Sequence, residues 1–266
     1  MQLETGTVVR HETEGRNYRV LTLRLPLVCS TANPGQFIHL RISALHDAVL
    51  RRPFSIYRVE GDSLSILYKS VGRGTAVMQS LCPGAEVSVI GPLGNGFPVR
   101  LTPDALPVFV AGGYGVAPLY FLATRLARPG ILFVGGARAA DILLTSAFEA
   151  LGWNVCVATE DGSMGTRGWV TVPLDAWIRT RDSVPTPEIF ACGPNGMLQA
   201  LALRAKQCGW KAWLSLDRHM GCGVGACLAC VQRINTQDGE ILVRVCKEGP
   251  VFESGTIVWE DTGNET

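Results

Sequence analysis

Polar and apolar residues alternate one by one through Tyr18–Leu25 (YRVLTLRL), Gln36–Ile42 (QFIHLRI), Ser63–Lys69 (SLSILYK) and Ala85–Ile90 (AEVSVI). A period of two places successive side chains on opposite faces of a half-buried strand. Pro34-Gly35, Gly61-Asp62 and Pro83-Gly84 punctuate the intervals. Several short strands at such spacing predict a small antiparallel barrel or sandwich over residues 1–100. The Gly/Pro-rich run Pro92–Pro98 (PLGNGFP) is where a domain boundary is expected.

Beyond residue 104 the rhythm changes. Short, continuously apolar runs appear at Val108–Ala111, Ile131–Val134, Val155–Ala158, Ile189–Ala191 and Ala212–Leu216, with helix-compatible stretches at Val116–Leu126, Asp141–Leu151 and Asn195–Cys208. Buried strands alternating with helices predict a doubly wound parallel sheet over residues 101–216. Residues 217–266 form a third segment with a β-like pair, Glu240–Val245 and Thr256–Trp259. The predicted class is therefore β plus α/β with a small C-terminal appendage.

Composition narrows the function. Of 266 residues, 47% are hydrophobic and 18% charged, which excludes a disordered chain and supplies an ample core. A formal net charge of +1 leaves no whole-chain field to recruit nucleic acid or an anionic membrane. No apolar run approaches the roughly 18 residues of a membrane helix. The opening MQLETGTVVRHETEGRNYRV has acidic residues where a secretory signal would have a basic end and an apolar stretch. A cytoplasmic globular protein is expected.

Nine cysteines, an odd number, argue against a disulfide framework. Cys29, Cys82, Cys156, Cys192 and Cys208 are scattered and read as small apolar residues. Cys222, Cys227, Cys230 and Cys246 are not, for they follow the pattern C-x4-C-x2-C-x15-C. That spacing is the one of a plant-type 2Fe–2S site. Gly221, Gly223 and Gly225 supply a backbone free to wrap a two-iron core and aim N–H groups at its sulfurs. Structural zinc is the rival, but it favours two paired knuckles, and only Cys227/Cys230 form one.

Ala111-Gly-Gly-Tyr-Gly-Val-Ala-Pro-Leu119 follows a predicted strand and precedes a predicted helix, and Ala191-Cys-Gly-Pro-Asn-Gly-Met197 repeats the arrangement. Such turns let a pyrophosphate approach a helix N-terminus, at the carboxyl edge of an open sheet where ligands bind. In the β region, Arg52 stands three residues before Ser55: a guanidinium that could fork onto pyrophosphate, or an ordinary surface arginine on a strand. Gly72-Arg-Gly-Thr75 could cradle phosphate or simply turn. The histidines, His11, His39, His46 and His219, lack metal-ligand spacing and read as structural or surface residues.

In this order, R-P-x-S, G-x-G-T, G-P-L-G-x-G-F, G-G-x-G-V-A-P-L and C-G-P resemble the ferredoxin–NADP reductase superfamily. With the tail C-G-x-G-x-C-x-x-C…C-x-x-G-P-V-F, the chain resembles the electron-transfer subunits of class 1B dihydroorotate dehydrogenases along essentially its whole length. The resemblance implies an FAD site at Arg52, Pro53, Phe54 and Ser55, flanked by Leu67, Tyr68 and Lys69, with phosphate held at Gly74 and Thr75. It implies a nicotinamide nucleotide site at Gly112, Gly113, Gly115, Cys192, Gly193 and Pro194, and the 2Fe–2S cluster on the four cysteines. Phe54 stands where many reductases of the superfamily carry Tyr, and Tyr114 where a small or aliphatic residue is common.

The implied circuit runs from NAD(H) through FAD and the cluster to a second redox centre. No motif for that centre is present, so an FMN-containing catalytic partner subunit is expected, in a heterotetramer that oxidises dihydroorotate. Redox chemistry of this kind requires no Ser–His–Asp or paired-carboxylate site. NAD and NADP both remain open: Arg138 could pair with a 2′-phosphate, whereas Glu160 or Asp161 could bind ribose hydroxyls. Two other readings differ in kind. One keeps the cofactors but serves another complex, of the ferredoxin:NADP oxidoreductase or sulfide dehydrogenase type. The other is a zinc-stabilised binding module or redox sensor without flavin.

Overall fold

The first layer is an antiparallel half-barrel. Its strands are β1 (Gln2–Thr13), β2 (Tyr18–Arg24), β3 (Phe37–Arg41), β4 (Arg52–Ser55), β5 (Arg58–Glu60), β6 (Ser63–Lys69) and β7 (Glu86–Leu93), in the order β4-β3-β7-β1-β2-β6-β5. The structure, a computed structural model, describes residues 1–42, 50–180 and 185–259; His46 lies outside them. Leu21, Leu23, Ile38, Leu40, Ile66 and Val89 fill the barrel interior without exposure. Helices α1 (Pro26–Cys29) and α2 (Arg73–Met78) lie in the connections after β2 and β6.

The longest strand, β1, has no hydrophobic alternation to reveal it, because two of its three inward positions are Glu4 and Gly6. Buried Glu4 accepts the backbone N–H groups of Leu27 (3.1 Å) and Val28 (2.9 Å) at the start of α1. A Cβ on Gly6 would lie 2.5 Å from Leu25. Polar bonding and close packing hold this strand where apolar burial holds the others.

The second layer is a sheet of seven strands: β8 (Leu106–Gly112), β9 (Ile131–Gly136), β10 (Asn154–Thr159), β11 (Thr166–Arg167), β12 (Pro187–Cys192), β13 (Lys211–Ser215) and β16 (Val251–Glu253). Its order is β11-β10-β9-β8-β12-β13-β16, parallel up to the antiparallel edge strand β16. Helices α3 (Val116–Ala123), α4 (Thr145–Ala150), α5 (Thr171–Thr180) and α6 (Asn195–Cys208) connect these strands. The helix expected from Asp141 starts only at Thr145, because Leu144 takes a left-handed φ of 61° and a single 3-10 turn occupies Ala139–Asp141. Helix α5 escapes the sequence pattern because it carries Pro173 and buries only Thr171 and Leu174.

In the C-terminal segment, β14 (Val231–Thr236) and β15 (Gly239–Arg244) form a hairpin, so the expected strand at Glu240–Val245 exists with a different partner. The strand expected at Thr256–Trp259 is displaced to Val251–Glu253: Val251 and Phe252 are buried against β13, while Ser254–Thr256 is a 3-10 turn. The run Pro92–Pro98, where a boundary is expected, is packed against both layers. Phe97 is buried with its ring 5.9 Å from Phe190, its N–H donates to the Pro34 carbonyl (2.8 Å), and the Asn95 N–H donates to Gly249 (2.5 Å).

A polar clasp ties the half-barrel to the second layer. Asp141 accepts both Lys69 Nζ (2.9 Å) and the Tyr18 hydroxyl (2.7 Å) at one oxygen, Oδ1. Burial raises the Asp141 pKa, but the bonds from Lys69 and Tyr18 outweigh it and hold the carboxyl below its usual range. A carboxyl depressed on folding stabilises above its unfolded pKa of about 4, and the contribution is lost as pH falls through the folded value. Asp141→Asn is expected to cost about 1–2 kcal/mol at pH 7. Chemical denaturation at pH 7 and at acid pH checks this, with the gap between variant and parent closing below about pH 4.

Candidate functional site

The chain runs outward from β8 through β9, β10 and β11, then returns to the other side of β8 as β12. Crossovers therefore diverge between the carboxyl ends of β8 and β12, which is where an open α/β sheet leaves a crevice. Gly112–Gly115 and Cys192–Pro194 meet at this point. A Cβ on Gly115 would sit 2.2 Å from the Cys192 carbonyl oxygen, and one on Gly112 would sit 2.6 Å from Pro194 Cδ. Glycine alone allows the two strand ends to approach so closely. No side chain bonds the first N–H groups of α3 or α6; at α3 the Val116 N–H turns back to the Gly113 carbonyl and Pro118 carries none, so the freer donors and positive dipole end are those of α6.

A cleft of about 1150 Å³ opens between this edge and the half-barrel. Thirteen of the fifteen residues expected at the nucleotide sites line it: Pro53, Phe54, Ser55, Leu67, Tyr68, Lys69, Thr75, Gly112, Gly113, Gly115, Cys192, Gly193 and Pro194. Arg52 and Gly74 are not among the lining residues. Arg52 curls back instead, donating to the carbonyls of Leu50 (2.7 Å) and Arg51 (3.2 Å). The Thr75 hydroxyl accepts the Val71 (2.9 Å) and Gly72 (3.1 Å) N–H groups, tying down the turn before α2.

The remaining lining groups are fixed by bonding and burial. Tyr68 packs edge-on against Phe54, ring centroids 5.9 Å apart, and its hydroxyl meets His11 Nε2 at 3.0 Å. Burial pushes the Tyr68 hydroxyl up to about 12 and the Cys192 thiol, bonded by Ser215, up to about 12. Tyr114 lines the cleft half exposed. Arg138 is exposed, 3.8 Å from Asp141 and outside the lining, whereas Glu160 faces the cleft. Asp161 is engaged by the Ser163 N–H (2.9 Å) and hydroxyl (2.6 Å). Trp169 and Asp217 also line the cleft; a tryptophan beside Gly168 in a turn after a parallel strand was the available signal for the first.

Below the cleft, the chain leaves β13 through Leu216, Asp217 and Met220, all lining residues, and enters the cysteine loop. Cys222 Sγ accepts the N–H groups of Val224 (3.5 Å), Ala226 (3.3 Å) and Cys227 (3.4 Å), and Cys230 Sγ accepts that of Cys246 (3.4 Å). Arg244, clamped by Glu248, donates to the Gly225 carbonyl (3.0 Å). Burial opposes ionisation of Cys222, but these N–H groups lower its thiol to about 6. Burial and then Cys230 push Cys246 up to about 12.

Backbone hydrogen bonds group the cysteines two by two: Cys222 and Cys227 each give an N–H to the other's sulfur, and Cys246 gives its N–H to Cys230 Sγ. A core of two irons bridged by sulfides needs two thiolates on each iron. The loop thus fits a 2Fe–2S cluster. Of the scattered cysteines, Cys29 is buried as expected of a small apolar residue, but Cys82 and Cys208 are exposed.

Comparison with known proteins agrees with this geometry. Residues 217–258 match the family described as the iron–sulfur cluster binding domain of dihydroorotate dehydrogenase B. The chain is 41% identical, over 90% of its length and 91% of the relative's, to "dihydroorotate dehydrogenase B (NAD(+)), electron transfer subunit" of Geobacillus kaustophilus (strain HTA426). It is 38% identical to the protein of the same description from Shouchella clausii (strain KSM-K16), covering 95% and 96% of the two chains. Among solved structures, an NADH-dependent reduced ferredoxin–NADP oxidoreductase studied for flavin-based electron bifurcation superposes with a TM-score of 0.82 at 26% identity, covering 96% of this chain and 90% of that one. A ferredoxin NADP+ reductase from Neisseria gonorrhoeae shares the fold (TM-score 0.63, 14% identity, 79% and 92% coverage).

Gly115→Ala forces a methyl group into the Cys192 carbonyl, a contact between two backbones that no rotamer relieves. A loss of about 1–3 kcal/mol in unfolding free energy is expected, together with weaker NADH binding measured by titration.

Proposed function

Because the chain belongs to the family of dihydroorotate dehydrogenase B electron transfer subunits, we propose that it carries electrons between NAD(H) and a separate FMN-containing subunit that oxidises dihydroorotate. The observation that carries this reading is one of connectivity. A dinucleotide-sized cleft and a four-cysteine loop occupy consecutive stretches of chain, and Met220, the last of the cleft residues before the loop, stands two residues from Cys222. Two redox sites on one continuous backbone make an electron-transfer module.

Residues 1–100 hold FAD in this reading, residues 101–216 the nicotinamide nucleotide and residues 217–266 the cluster. When bound, FAD supplies two-electron exchange with the nicotinamide, and the 2Fe–2S cluster supplies one-electron exchange with the partner. Pro53, Phe54, Ser55, Leu67, Tyr68 and Lys69 form the wall for the flavin. Arg52 swings from its carbonyl contacts to the pyrophosphate, and Gly74 and Thr75 border the phosphate. Gly112, Gly113 and Gly115 bring the α3 N-terminus to the second nucleotide, opposite Cys192, Gly193 and Pro194. Cys222 and Cys227 hold one iron, Cys230 and Cys246 the other. Glu160 in the cleft favours NAD over NADP, since its carboxylate suits a ribose diol and repels a 2′-phosphate.

The assembly in this reading is a heterotetramer with the catalytic subunit, in the cytoplasm, with no role for nucleic acid. Among the described residues no helix is long and apolar enough to cross a membrane. The likeness to the bifurcating oxidoreductase supports a second reading, the same module serving another flavoprotein complex. Affinity purification from the native host separates the two by the identity of the catalytic subunit recovered.

Cys227→Ser is expected to abolish the cluster and spare the flavin. NADH-dependent dye reduction then persists while reduction of the partner fails, and anaerobic spectra with iron and zinc assays on the same sample record both. Two irons per chain and flavin bleaching by NADH are expected of the parent; a colourless zinc protein would overturn the reading. Arg52→Ala is expected to release FAD during gel filtration, and unchanged flavin occupancy would return Arg52 to a surface role.

A further inference from the structure

Strand β3 presents Phe37 and His39 on one face, away from the barrel interior that takes Ile38 and Leu40. Phe37 lines the cleft and belongs to the same buried cluster as Cys230 and Cys246. His39 is buried, 1% exposed, and its Nδ1 lies 3.1 Å from the Cys222 carbonyl oxygen. A carbonyl only accepts, so Nδ1 carries the hydrogen whatever the charge of the ring. The loop is shaped to receive it: Gly223 has φ +70°, and a Cβ there would lie 2.5 Å from Nδ1.

The other nitrogen argues that this bond is selected rather than incidental. His39 Nε2 is buried with no hydrogen-bond partner. An unsatisfied buried polar atom costs about 1–3 kcal/mol, which phenylalanine or leucine at this position would avoid. Packing alone does not favour histidine here; the Nδ1 bond is what an apolar residue cannot supply. Across the ladder, His39 pairs with Pro53, whose neighbours Phe54 and Ser55 line the cleft. One imidazole thus connects the strand pair bordering the flavin wall to the backbone of the first cysteine.

We propose that His39 is a positioning residue that locks the Cys222–Gly223 peptide of the cysteine loop onto β3, and so sets the N–H array around the cluster sulfurs. This rests on the reading of the four cysteines as a 2Fe–2S site. In a trans peptide the C=O and the next N–H point in opposite directions, so anchoring the Cys222 carbonyl on the barrel turns the Gly223 N–H away from it. The following amides, Val224, Ala226 and Cys227, are those that donate to Cys222 Sγ. Such bonds stabilise the added negative charge of a reduced cluster.

The test uses the full-length protein as purified anaerobically, with His39→Phe and His39→Leu to remove the donor and His39→Asn to restore an N–H near Nδ1. Amide hydrogen exchange across residues 222–227 is expected to quicken about tenfold in the donor-free variants. The cluster's midpoint potential becomes more negative and the reduced-state EPR signal changes shape, while FAD content is unchanged. His39→Asn returns all three towards the parent. Parental exchange and potential in His39→Phe and His39→Leu would overturn the inference, as would an Asn variant no better than Phe. If the parent binds no iron the cluster reading itself fails, and the exchange measurement still decides whether His39 holds the loop.

Discussion

The architecture depends on one close approach across glycines, where the ends of β8 and β12 meet: at Gly115 backbone faces backbone, and at Gly112 the Pro194 ring fills the space a side chain would take. Gly115 lies against the Cys192 carbonyl and Gly112 against Pro194. Any larger residue would part the strands at the place where the sheet reverses its order. Because they stay together, the N-termini of α3 and α6 emerge side by side at the cleft. The half-barrel then seats against α3, with Tyr57 5.2 Å from Tyr120, and against β12, with Phe97 5.9 Å from Phe190. The next strand, β13, runs alongside β12 and delivers the chain into the cysteine loop.

Apolar burial and polar bonding divide the work at these seams. A buried aromatic or aliphatic side chain contributes about 1.5–3 kcal/mol, and a hydrogen bond about 1 kcal/mol net. Apolar contacts therefore dominate how strongly the layers adhere, and directional bonds decide their alignment. Among the described residues such points include Asp141 with Lys69 and Tyr18 on the nucleotide side, Asn95 with Gly249 and Glu248 at the joint, and His39 with Cys222 on the cluster side. Each joins the half-barrel or its exit segment to a part of the chain remote in sequence.

What was legible in the sequence follows from this division. Periodicity and apolar runs expose strands whose burial is apolar, so β2, β3, β6 and β7 and the parallel strands β8, β9, β10, β12 and β13 could be read directly, whereas the exposed two-residue β11 could not. It is silent for β1, whose inward face carries Glu4 and Gly6, and for α5, with Pro173 and a thin apolar stripe. Cysteine spacing foreshadowed the loop because thiol chemistry is local in sequence. The two-pair grouping of thiols, the clasp at Asp141 and the bond from His39 join residues far apart, and no local pattern encodes them. His39 in particular sits in an alternating strand at what reads as a polar, outward position; it does point out of the barrel, but into the cysteine loop rather than into water.

The cleft groups and Cys222 are shifted by opposite balances of burial and hydrogen bonding, while Cys246, like the cleft groups, is raised to about 12. In the cleft, burial raises Cys192 and Tyr68 to about 12, hydrogen bonds from Asp141 and Tyr18 raise Lys69, and Asp141 is held below its usual range. These groups are driven away from neutrality and keep one charge state across the physiological range; Asp217, raised by burial, moves the other way. An acid–base enzyme tunes its working groups toward pH 7. In the cysteine loop, burial opposes ionisation of Cys222, yet backbone N–H groups bring its thiol down to about 6. Thiolate is the form that binds metal. The peptide groups that make Cys222 a ready ligand are thus the same ones that would tune the metal once it is bound.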